Sequence, residues 1–130
     1  MNEITLNNKN TELTKNYIIK ILEQLTVNYQ KTHSEREKIA SELSLSQEYF
    51  SLLEEIEILT IDIRGYASQI KARGYIANEQ EAREKLQQMR IFNIPIIAQF
   101  YFDFNHHYSD IKDYLRMLDY LRLLIIEYLQ

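Results

Sequence analysis

Backbone punctuation is scarce in this chain: Gly65, Gly74 and Pro95 are its only glycines and its only proline in 130 residues. Glycine is the usual supplier of turns with positive φ, so a β-sandwich, a barrel or a nucleotide-binding α/β domain is excluded by its scarcity. Cysteine is absent, which removes disulfide frameworks, thiolate ligands and cysteine nucleophiles. Tryptophan is absent as well. No apolar run approaches the roughly 20 residues of a membrane span. The longest, Ile91 to Phe104, is interrupted by Asn93, Pro95, Gln99 and Asp103. The first ten residues lack a basic stretch followed by an apolar one, so no secretory signal is expected. These absences together lead us to expect a cytoplasmic protein without membrane contact.

What is present is rich in Leu, Ile, Glu, Gln, Lys and Arg, which are strong helix formers. The expected fold is all-α: one antiparallel bundle of four to five helices over residues 11–130, kinked at Pro95, behind a flexible tail of residues 1–10. In the first helix Ile18, Leu22, Leu25, Tyr29, Thr32, Arg36, Ile39 and Leu43 recur by threes and fours. The polar stretch Gln30 to Lys38 either carries that helix through solvent or divides it. A second helix is expected from a Ser46 cap to about Arg73, with Gly74 as its stop and Lys71 and Arg73 in its last turn. Gly65 within it suits a close helix crossing. Asn78 and Glu81 have the spacing of a capping box, and open a third helix that Pro95 must bend or end. Asn93-Ile94-Pro95 is then either a bend or a short link into a fresh helix with Pro in its first turn. Phe100 to Phe104 is read as helix, because a lone strand would lack a partner. The segment from Tyr108 to Leu129 turns apolar nearly all round at its end, so it must be a central element or part of an interface.

Charge is uneven. The chain carries 15 basic and 19 acidic residues, and all of the acidic excess lies before residue 61. Ser46 to Thr60 contains Glu48, Glu54, Glu55 and Glu57 and no Lys or Arg. Such a surface repels phosphate backbones and attracts basic protein surfaces.

Chemistry-bearing patterns are few. There is no glycine-rich phosphate loop and no recognisable nucleophile setting. Asp103, His107 and Asp110 would share one helical face, yet no fourth ligand is in view and the Glu-x-x-His pairs of di-iron bundles are missing. No catalytic residue, cofactor or metal is therefore assigned. Ile39 to Leu53 has a small Ala40 in its first helix, Leu43 and Leu45 around a turn, then Ser46, Tyr49, Phe50 and Ser51. That pattern resembles the first helix-turn-helix of the AraC-type transcription regulators. The resemblance covers about fifteen residues and implies a DNA-reading role for Gln47, Glu48 and Ser51. The usual turn glycine is replaced by Ser44, a second motif is lacking, and the reading helix has no cation to neutralise phosphate. Nucleic acid is accordingly disfavoured.

Aromatic residues gather in the last third, where Phe92, Phe100, Phe102 and Phe104 stand among the tyrosines. Tyr101, Tyr108, Tyr114, Tyr120 and Tyr128 combine apolar area with a polar tip, which suits an interface. The expectation is a non-catalytic interaction module, of the adaptor, chaperone, inhibitor or immunity type. Its candidate contacts are the acidic Glu48, Glu54, Glu55 and Glu57 and these five tyrosines, and its partner is another protein with a basic surface. The alternatives are the helix-turn-helix regulator and a subunit that self-assembles through the 111–129 helix.

Overall fold

The structure is a computed structural model that describes residues 2–41, 47–103 and 108–130, with side chains described for 11–41, 50–102 and 108–130. Among these residues every regular element is helical. They are α1 (Asn2–Lys31), α2 (His33–Ser41), α3 (Gln47–Arg73), α4 (Glu79–Met89), a 3-10 turn (Ile91–Asn93), α5 (Pro95–Asp103) and α6 (Ser109–Tyr128). Six α-helices stand where four or five are expected, because the polar stretch after Gln30 does divide. Thr32 makes the break: its Oγ1 donates to the Tyr29 carbonyl at 2.6 Å, competing with the helical ladder. The helical backbone also reaches back to Asn2, through residues expected to form a tail. Nothing there interrupts a helix once its later turns are packed, since residues 2–10 hold neither Gly nor Pro.

Two punctuation marks act as expected. Gly74 adopts φ +81° and its N–H donates to the Ile70 carbonyl at 2.8 Å, ending α3 in the left-handed conformation that favours glycine. Asn78 caps α4 by accepting from the Glu81 N–H at 3.3 Å, while its amide donates back to the Glu81 carboxylate at 2.7 Å. Pro95 does not kink a continuous helix and takes the other form expected of it, the start of a fresh one. It opens α5 after the 3-10 turn, where a missing N–H costs nothing and its fixed φ is already helical. The preceding Ile94 is extended, as a residue before proline prefers. Gly65 departs from its expected role: a Cβ there would meet nothing within 4 Å, so among the described residues no helix crosses at that point.

The core is one cluster running from Ile18, Leu22 and Leu25 of α1 through Leu52, Ile56, Ile63 and Ile70 of α3 to Leu115, Leu118 and Ile125 of α6. Helix α6 is its centre, packed against α1, α2, α3 and α4. The apolar positions of residues 111–129 are thus largely covered by this chain's own helices, with Tyr120 and Leu123 left half exposed.

Helix α6 is held at both ends by side chains from elsewhere. Its N-cap, Tyr108, makes no side-chain capping bond. Glu35 of α2 substitutes, accepting from the Asp110 N–H at 3.0 Å and from the Ile111 N–H at 2.9 Å. An anion on the two orphan donors of a helix N-terminus is favoured by both hydrogen bonding and the dipole. At the other end Arg83 of α4 donates to the Leu129 carbonyl, and Tyr128 donates to the Gly74 carbonyl at 2.5 Å, tying α6 to the end of α3. Glu35→Ala should therefore destabilise the fold by about 1–2 kcal/mol, the usual cost of a lost N-cap. Urea unfolding would show it as a lower midpoint with an unchanged slope, and an unaltered midpoint would mean that Glu35 does not cap α6 in solution.

Candidate functional site

An apolar concavity forms where the 3-10 turn, α5 and α6 meet. Ile91, Ile97 and Phe100 point into the core and fix these elements. On a helix the residue two beyond Phe100 is rotated by about 200°, so Phe102 is thrown outward and is 77% exposed. Phe92, Ala98, Tyr101, Phe102 and Arg116 line a cavity of about 230 Å³. Its rings are in edge contact, with centroids 5.3 Å apart for Phe92 and Tyr101 and 5.7 Å for Tyr101 and Phe102. Edge contact is the favoured arrangement for aromatic quadrupoles.

Tyr101 is fixed by cations. Arg116 donates from Nε to its hydroxyl at 2.9 Å, and Lys112 Nζ lies 4.4 Å from its ring centroid. The Arg116 guanidinium remains largely exposed at the rim, 3.8 Å from Asp113. Beyond Phe92 lies a second hollow, of about 290 Å³, lined by Arg90, Ile91, Phe92, Asn93, Asp119 and Arg122. Arg90 there has φ +27° and ψ +71°, a conformation that costs a non-glycine residue energy and often marks a working surface. An apolar slot rimmed by arginines is suited to an apolar side chain next to a carboxylate.

The sequence-derived candidates do not converge. Tyr101 lines the cleft. Tyr108 and Tyr114 are buried in the core, where they cannot touch a partner in this conformation. The Tyr114 hydroxyl is occupied as well, lying 2.8 Å from Thr60 Oγ1. Tyr128 is committed to Gly74, and Tyr120 is exposed on α6. Glu54 and Glu57 are exposed on the outer face of α3, whereas Glu55 is half-buried on its flank. Ser51 is exposed, while the side chains of Gln47 and Glu48 lie outside the described residues, as does the turn at 42–46. The His107 position also falls outside them. Among the described residues no group of three His, Asp or Glu side chains is placed to hold a metal. No described helix is long and apolar enough to cross a membrane.

The sequence reading counted Phe92 and Phe102 among the aromatics of the last third without placing them at a site, and it missed Ala98 and Arg116. The signal for Phe102 was its offset of two from Phe100 within a helix, which cannot leave both rings inside. No family model matches the chain, and no curated protein or solved structure is significantly similar to it.

Proposed function

We propose that the chain is an antiparallel helical bundle acting as a non-catalytic protein-interaction module, which docks a segment of another protein in the Phe92–Tyr101–Phe102 cleft. The observation that carries this reading is Phe102, 77% exposed at the rim of an apolar cavity of about 230 Å³. Leaving a phenylalanine in water forgoes about 1.5–3 kcal/mol of burial, and an aromatic beside an arginine is the composition that dominates binding hot spots. The ligand that fits is a peptide segment with one large apolar residue adjacent to an acidic one, the apolar group in the slot and the carboxylate on Arg116.

Selection of random peptides on the immobilised protein tests this directly. The enriched peptides should pair an aromatic or aliphatic residue with Asp or Glu, and should shift the amide resonances of Phe92, Tyr101 and Phe102. Phe102→Asp should weaken them at least tenfold without changing the unfolding midpoint, because Phe102 supports no core contact. Peptides that bind elsewhere, or that bind Phe102→Asp equally well, would sink the assignment.

A further inference from the structure

A second surface, independent of the cleft, has a pattern that complements itself. The outer side of α3 carries two large exposed aliphatics, Ile58 at 53% and Ile61 at 63%. Gly65 lies one turn beyond Ile61 on the same side, with open space over its Cα. Before these residues the face is acidic, with Glu54 and Glu57 exposed; after Ile61 it is basic, with Lys71 exposed and Arg64 half-buried on the same flank. Arg64 is steadied there by its bond to Thr26 Oγ1 at 3.2 Å.

We infer that this face pairs with the same face of a second copy, the two α3 helices running antiparallel about a two-fold axis near Ile61. An isologous contact requires a patch complementary to itself under a half-turn. A half-turn through Ile61 exchanges position 57 with position 65, so Glu57 of one copy meets Arg64 of the other, and Glu54 lies within a turn of Lys71. Parallel pairing would instead set Glu54 and Glu57 against their own copies and Lys71 against Lys71. Gly65, over which the monomer leaves open space, lets the two backbones approach around Ile61.

The face spans about 25 Å from Glu54 to Lys71 and is about 10 Å wide. Its footprint is on the order of 300 Å² per copy, below the roughly 800 Å² per partner of a standard stable complex. The dimer is therefore a weak one, with a dissociation constant on the order of 10–100 μM.

Sedimentation equilibrium of the full chain across that range is the experiment. The wild type should pass from monomer to dimer, and Ile61→Glu should remain monomeric. Gly65→Gln separates folding from association: it replaces a helical glycine pointing into open space, so the monomer should gain stability, yet dimerisation should weaken at least tenfold. Glu57→Arg and Arg64→Glu should each impair self-association, and the double variant carrying both changes should recover it, since antiparallel pairing sets position 57 of one copy against position 64 of the other. A wild-type chain that stays monomeric throughout would overturn the inference and leave the face to a different protein. A dimer indifferent to Gly65→Gln would overturn it also, by placing the contact elsewhere.

Discussion

Replacing Arg122 with methionine should cost about 3–5 kcal/mol of stability, as expected when one member of a buried ion pair is removed. The methionine would fill most of the same space, so the loss comes from what the guanidinium satisfies. Its Nη1 donates to the Leu86 carbonyl at 2.9 Å, and its Nε to Asp119 Oδ1 at 3.0 Å. Leu86 lies in the last turn of α4, whose final carbonyls have no intrahelical donor. Arg122 thus closes the end of one helix from the middle of another, and its removal strands a buried carbonyl together with a carboxylate only 20% exposed. Asp119→Asn should be milder, about 1 kcal/mol, because the amide oxygen still accepts from Nε. Urea unfolding of both variants measures the difference. Equal losses would show that the carbonyl of Leu86 is satisfied some other way.

Raising the pH from 10 to 12 should remove about 2 kcal/mol of stability through Tyr114 alone, since each tenfold change in proton affinity is worth about 1.4 kcal/mol. Burial, opposed in part by the hydrogen bond to Thr60, pushes its phenol from 10.0 up to about 12. A raised pKa means that the folded state holds the proton more tightly. The associated stability is complete below the unfolded value of about 10 and disappears as pH climbs through the folded one. Burial raises Tyr66 and Tyr128 in the same direction, which steepens the alkaline transition. Tyr114→Phe should flatten most of the slope between pH 10 and 12, at a neutral-pH cost of about 1 kcal/mol. That cost is small because Thr60 Oγ1 still donates to the Ile56 carbonyl at 2.6 Å. Thr60→Val should do more harm at neutral pH, since it leaves a buried phenol without a partner. The reverse order would show that Thr60 does not partner the Tyr114 hydroxyl, and an unchanged alkaline slope in Tyr114→Phe would show that burial of this phenol is not what resists ionisation.

Local signals and long-range ones differ sharply in how far they can be read in advance. The three-and-four spacing of Ile18, Leu22, Leu25, Ile56, Leu59 and Ile63 announces the buried faces, and all six are buried. Gly74 and the Asn78–Glu81 pair are legible because a cap is made among residues three or four apart. Glu35 is a different matter. It sits in a helix of polar composition and caps one that begins at Ser109, and no pattern along the chain links those positions. Arg122 on Leu86 and Arg83 on Leu129 are hidden for the same reason. Pro95 is visible as an interruption, but whether it bends a helix or starts one depends on the turn at Ile91–Asn93 that comes before it. The cleft is half legible: aromatic density points to the C-terminal third, whereas only the rotation of α5 decides that Phe100 goes in and Phe102 comes out.

The dependence of α6 on Glu35, Arg83 and Gly74 carries a consequence for how the chain is made. Helix α6 is the last of the six to leave the ribosome, and the apolar faces of α1 and α3 wait for it. At about 5–20 residues per second, the synthesis of the stretch between α3 and the end of α6 keeps those faces unmatched for several seconds. Through that interval the nascent chain is a set of amphipathic helices with no central post to gather round. The protein is thus most exposed to misassociation during its own birth, and a chaperone that shelters it need act only until α6 emerges.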